Sequence, residues 1–239
     1  MPKPQGQEYF LSKKVGKAIS DYDMLSDGDK VAVAVSGGKD SLTLLKVLDD
    51  RRSFVPIKYD LLAVHVDLGY PKSESKVLER YFKRHGYKYH IEKVDVLKTK
   101  SKKDINCFWC SWNRRKALFE TANRSGFKKV ALGHHKDDII QTILLNLFFQ
   151  GEISAMSPKQ ELFDGAITII RPLAYVEEKE IVRFARAQDF IKTGCKCHNS
   201  VISNRAKMAR IIREIEKVNP SVKTNIFRAI KRINKEYLL

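Results

Sequence analysis

The chain has 239 residues, 43% of them apolar, which suits one large domain with a sizeable core, or one domain with an appendage. No apolar run approaches the roughly 18 residues of a bilayer-spanning helix, and residues 1–14 lack the apolar stretch of a signal peptide, so a membrane or secreted protein is not expected and a cytoplasmic location is. The net charge of +17 exceeds what solubility needs and points to a polyanionic partner; residues 192–239 concentrate it, with twelve Lys/Arg against three Glu.

In chain order, residues 8–24 read as an amphipathic helix with Leu11, Val15 and Ile19 at helical spacing. Residues 31–35, all small or β-branched, read as a strand buried on both faces. An apolar helix follows at once. Strands are expected at 61–66, 89–94, 128–132 and 166–170, and helices at 76–85, 112–124, 139–149 and 178–187, with a basic loop over 98–103. Two basic helices, 205–217 and 222–235, close the chain around Asn219-Pro220. Met208, Ile211, Ile212 and Ile215 form the apolar stripe of the first, and Phe227, Ile230 and Ile233 that of the second. Alternating strands and helices predict an α/β fold, a doubly wound parallel sheet with a basic C-terminal helical extension. The expected divisions are a lead-in over 1–27, a nucleotide-binding domain over 28–194 and a tail over 195–239.

Ser36-Gly37-Gly38-Lys39-Asp40-Ser41 stands between the first strand and its helix. A glycine-rich turn there aims several backbone N–H groups at one point, and the helix dipole favours an anion. The spacing fits neither GxxxxGK[ST] nor GxGxxG. Ordinary N-capping needs fewer special residues. Two further polar clusters, 65–69 and 133–138, also follow strands, and ligands of such sheets bind beyond the carboxyl ends of the strands.

The four cysteines form two pairs, Cys107/Cys110 and Cys195/Cys197. Structural zinc, a redox dithiol and an iron–sulfur cluster all suit such pairs, and spacing alone does not separate zinc from iron–sulfur.

SGGKDS resembles the loop of the PP-loop ATP pyrophosphatases, which transfer AMP to a substrate. Together with the CxxC, GHHKDD, Arg171-Pro172-Leu173 and a late cysteine, it makes residues 25–215 similar to the tRNA 2-thiolation enzymes, with the 2-thiocytidine branch favoured by ALGHHKDDIIQTILLNLFF. The resemblance implies ATP-dependent adenylation of the C2 oxygen of a tRNA pyrimidine, followed by sulfur transfer through a [4Fe-4S] cluster. It implies cluster ligation by Cys107, Cys110 and Cys197, with Cys195 as the alternative or fourth ligand. It implies Asp138 and Arg114 as catalytic residues, with Lys39 offsetting negative charge. Ser36, Gly37, Gly38, Lys39, Asp40, Ser41, His65, Asp67, Gly133 and His134 are the expected ATP-binding set, with Asp40 toward Mg²⁺. The partners implied are tRNA and a sulfur donor, either free sulfide or a persulfide carrier, and relatives are often homodimers. A zinc-containing PP-loop enzyme that adenylates tRNA without sulfur transfer, and a non-catalytic RNA-binding protein, stay open at this point. The aromatic residues Phe108, Trp109 and Trp112 suit either core packing or base stacking.

Overall fold

The computed structural model describes residues 6–70, 73–96, 107–191 and 204–237. Helix α1 (Gln7–Asp21) leads into β1 (Asp29–Ala34), α2 (Lys39–Arg51), β2 (Tyr59–Asp67), α3 (Ser75–Arg84) and β3 (Tyr89–Lys93). Then come α4 (Cys107–Arg124), β4 (Lys129–Ala131), α5 (Lys136–Gln150), β5 (Lys159–Leu162), β6 (Ile167–Ile170) and α6 (Glu178–Ala187). The tail is α7 (Asn204–Val218), α8 (Val222–Ala229) and a 3-10 turn, Lys235–Tyr237. Among the described residues no helix is long and apolar enough to cross a membrane.

The six strands form one sheet in the order β3-β2-β1-β4-β6-β5. All neighbours are parallel except β5, which runs antiparallel to β6. The sheet is therefore doubly wound as expected, with one edge strand that the hydropathy pattern does not show. Lys159-Gln160-Glu161-Leu162 is polar because an edge strand needs little burial. Its hairpin turn, Phe163-Asp164-Gly165, has positive φ at all three residues; the Asp-Gly pair is its only sequence signal.

Side chains alternate across β1. Val31 and Val33 join α1, α2, α3 and α6 in the larger core, whereas Ala32 joins Ala117, Leu118, Phe119 and Ala122 of α4 on the other face. Leu11, Val15 and Ile19 are buried as the α1 spacing predicts.

Three expectations need correction. First, α4 starts at Cys107 and not at Trp112, so the CxxC forms its first turn. Second, α8 stops at Ala229. Third, the apolar stripes of the tail are narrower than expected. Met208 and Ile212 pack on Ile140 and Leu144 of α5, and Ile226, Phe227 and Ile230 on Ile139, Ile143 and Ala174, while Ile211, Ile215 and Ile233 are exposed. A two-helix tail lying on one neighbour buries only one side of each helix. The basic loop over 98–103 and Cys195 and Cys197 lie outside the described residues.

Candidate active site

The chain leaves β1 for β2 and β3 on one side and returns to β4 on the other. The reversal between β1 and β4 is the topological switch point, where the carboxyl ends of a doubly wound sheet open a crevice. SGGKDS follows β1 and GHHKDD follows β4, so the switch point brings two of the three predicted clusters together.

The loop after β1 is closed by its own serines. The Ser36 N–H donates to Ser41 Oγ (3.2 Å), the two hydroxyls lie 3.3 Å apart, and the Ser41 hydroxyl donates to the Gly38 carbonyl (2.9 Å). Gly37 has φ +90°, a region that favours glycine. Gly38 is different. It caps α2 with φ −70° and ψ 157°, and a Cβ there would meet only Ser36 Oγ, at an ordinary 3.5 Å. Neither backbone conformation nor packing requires glycine at 38.

Gly133 shows how the two loops meet. A Cβ on it would lie 3.1 Å from Ser41 N and 3.2 Å from the backbone carbon of Asp40. The backbone at Gly133 thus lies tight against the first turn of α2.

Lys39 Nζ lies 3.1 Å from Asp40 Oδ1 and 3.0 Å from Glu178 Oε1, at the start of α6. Burial disfavours its charge, but Asp40 and Glu178 outweigh burial and raise its pKa. His135, buried, is the N-cap residue of α5. Its Nε2 lies 3.5 Å from Asp138 Oδ2 and 4.0 Å from Asp40 Oδ1, linking the two loops. Asp138, at the third position of α5, reaches back to accept the His135 backbone N–H (3.0 Å), and its other oxygen meets Arg205 of α7 (3.2 Å). Asp137 serves two other helices. It accepts the Glu178 backbone N–H at 2.8 Å and pairs with Lys223 of α8 at 2.9 Å.

His134 accepts the Arg171 Nε–H at Nδ1 (3.3 Å). Burial and the Arg171 charge pull its pKa down to about 4, so the ring is neutral and its proton resides on Nε2. Arg171 is itself buried and donates to the Ser157 carbonyl. Burial, with Arg115 nearby, lowers its pKa to about 10, and it stays charged.

At the end of β2, the His65 Nδ1 lies 2.8 Å from the Val35 carbonyl. A carbonyl only accepts, so Nδ1 is the donor and Nε2 is left as an acceptor in the neutral ring. Burial lowers the His65 pKa, and the charge of Arg114 acts in the same direction. Asp67 spends both oxygens on its own loop: Oδ1 accepts the Gly69 N–H (3.0 Å) and Oδ2 the Ser73 and Ser75 hydroxyls (2.6 Å each). Burial opposes its charge, but these donors outweigh burial and lower its pKa.

Cys107 and Cys110 stand three residues apart in the first turn of α4, and Arg114 follows Cys110 one turn further along the same helix face. Cys110 is a free thiol, partly buried, and its Sγ lies 2.8 Å from the Tyr70 hydroxyl. Two thiols at this spacing are a donor set for iron or zinc; among the described residues no group of three metal-ligating side chains forms, and Cys195 and Cys197 lie outside those residues. His135, Glu178, Arg171, Arg205 and Lys223 were not singled out as site residues from sequence. A second histidine beside His134 and an arginine ending an apolar strand were the available signals. Glu178, Arg205 and Lys223 carry none, since they arrive from distant helices.

A family profile for the PP-loop domain matches residues 9–193. The tRNA-cytidine(32) 2-sulfurtransferase of Geobacter metallireducens is 42% identical over 235 residues, covering 96% of this chain and 91% of that protein. Among solved structures, the U34-tRNA thiolase NcsA from Methanococcus maripaludis with its [4Fe-4S] cluster superposes with a TM-score of 0.77 at 25% identity, over 98% of this chain and 81% of that one. An NH3-dependent NAD synthetase from Campylobacter jejuni shares the fold at TM-score 0.52 and 14% identity, over 95% of this chain and 93% of its own. Full-length similarity, the PP-loop match and the two loops joined at the switch point agree: the chain belongs to the PP-loop family and, within it, to the family of the tRNA-cytidine(32) 2-sulfurtransferases.

Proposed function

We propose that the protein replaces the C2 oxygen of cytidine 32 in tRNA with sulfur at the expense of ATP. The observation that carries this reading is the junction of SGGKDS and GHHKDD at Gly133, which brings the N-terminus of α2 close to the loop that carries Asp138.

The cytosine O2 attacks the α-phosphorus of ATP, an O–P bond forms, and pyrophosphate leaves. The backbone N–H groups around Gly37 and Gly38 cradle the phosphates, and Lys39 exchanges Glu178 for them, offsetting charge as it develops. Asp40, in the first turn of α2, is the carboxylate for Mg²⁺. Adenylation leaves positive charge on the pyrimidine. Asp138 relieves it by accepting a proton from the exocyclic amine, and Arg114 stabilises the phosphate. His65 Nε2, an acceptor, suits the amino group of adenine. Sulfide then adds at C2, the C2–O bond breaks and AMP departs. A [4Fe-4S] cluster held by Cys107, Cys110 and Cys197 would supply that sulfur when bound, replenished from free sulfide or a persulfide carrier.

The test is nucleoside mass spectrometry of a tRNA transcript treated with anaerobically reconstituted protein, ATP, Mg²⁺ and sulfide. The expected product is 2-thiocytidine at position 32, with one AMP per sulfur. A colourless protein holding zinc that releases AMP without thiolation would replace this reading by adenylation alone.

A further inference from the structure

Helix α4 has two functional faces. Cys110 and Arg114 share one. About half a turn away, at i, i+4, i+7 and i+8, stand Phe108, Trp112, Arg115 and Lys116. The second stripe is not core. Phe108 is 75% exposed and Trp112 47%, and Arg115 and Lys116 are exposed as well. Burial is the favourable outcome for large aromatic side chains, and these two are left largely or partly in water, so packing does not account for them. The platform is braced from within. The Trp109 ring stacks on Trp112 at 5.7 Å and 16°, and Lys116 Nζ lies 5.5 Å from the Trp112 ring centroid. Exposed rings interleaved with cations on a chain of charge +17 are the chemistry of a single-stranded nucleic acid site, where bases stack and phosphates pair. The charge argues against a second copy of this chain or any other basic partner.

We infer that the Phe108–Trp112 stripe is a stacking platform for an RNA loop base beside the modified one. This rests on the reading of the protein as a tRNA-modifying enzyme. A base entering the reaction face of α4 leaves its neighbour unstacked. Trp112, on the opposite side of the same helix, replaces that lost stacking, while Arg115 and Lys116 hold the adjoining phosphates. Trp112 is a positioning residue. It acts on where the loop sits and not on the reacting atoms.

Both tryptophans of the chain, Trp109 and Trp112, lie in this turn, so intrinsic fluorescence reports on it directly. An unmodified anticodon stem-loop RNA should quench that fluorescence, and a fully paired RNA of equal length should not. Base stacking contributes about 1–3 kcal/mol, so Trp112→Ala should lower kcat/KM for tRNA by about 5- to 150-fold, with Trp112→Phe restoring most of it. Phe108→Ala should act in the same direction by a smaller factor, and KM for ATP should not move in any of the three. Equal quenching by paired RNA, quenching by neither RNA, or wild-type kcat/KM in both alanine variants would each overturn the inference. If the wild-type protein quenches selectively with the loop yet makes no thiocytidine, the proposed reaction fails and the platform stands. If it thiolates and the alanine variants match it, only the platform fails.

Discussion

The loop after β1 and the first turns of α4, the regions proposed to take the two substrates, are built in opposite ways. Around SGGKDS nearly every polar group already has a protein partner: Ser36 with Ser41, Lys39 with Asp40 and Glu178, and Asp138 with His135 and Arg205. On α4, Phe108, Trp112 and Lys116 face solvent. The contrast suits what each is proposed to bind. Phosphoryl chemistry depends on donors fixed before the charge develops, so the nucleotide loop is locked between two helices. An RNA loop must enter from outside, and surface left exposed is what it can grip.

The sharpest way to break this comparison is at Asp138. Asn at 138 keeps an oxygen for the His135 N–H but removes the charge, so Asp138→Asn should lower the thiolation rate by about 100-fold or more with little change in melting temperature. Substantial activity, assayed by thiocytidine yield, would remove Asp138 from proton transfer.

The two glycines of the nucleotide face should separate next. Gly38→Ala meets no backbone, so it should keep its stability while weakening ATP binding by about tenfold or more, as expected where a Cβ occupies ligand space. Gly133→Ala presses on the α2 backbone, and should lose about 1–3 kcal/mol of stability together with ATP affinity. If Gly38→Ala bound ATP normally by calorimetry, the loop would not approach the phosphates.

Lys223 tests whether the tail braces the nucleotide half. Lys223→Ala leaves the buried carboxylate of Asp137 short of a partner, which typically costs about 1–3 kcal/mol, and urea unfolding measures it.

The smallest expected effect is with pH. The folded-state pKa of His134 lies near 4, below the ordinary value of 6.5. Between those values the unfolded chain binds a proton that the folded chain refuses, so stability falls as pH drops from 6.5 toward 4 and is fully present above that window. The lowered pKa of His65 acts in the same sense. Melting temperature should therefore decline on acidification, and His134→Gln should flatten the decline.

Much of this was legible because it is local. The β-branched run at 31–35, the glycine pair after it and the apolar spacing of α1 each reflect a residue's own preference or its helical neighbours. The start of α4 was missed because Cys107-Phe108-Trp109-Cys110 has no strong helix former, and the first turn is set by tertiary surroundings. The polar β5 was missed because an edge strand carries no hydrophobic pattern.

By itself, then, the sequence determined the order of the elements apart from β5 and singled out the glycine-rich loop after β1, since period and turn chemistry are short-range. Only the tertiary structure decided that Gly133 abuts α2, that Glu178 holds Lys39, that Arg205 and Lys223 reach the two aspartates of α5, and that Trp112 stays in water. These facts depend on which distant helices the sheet order brings together. No window along the chain contains both partners.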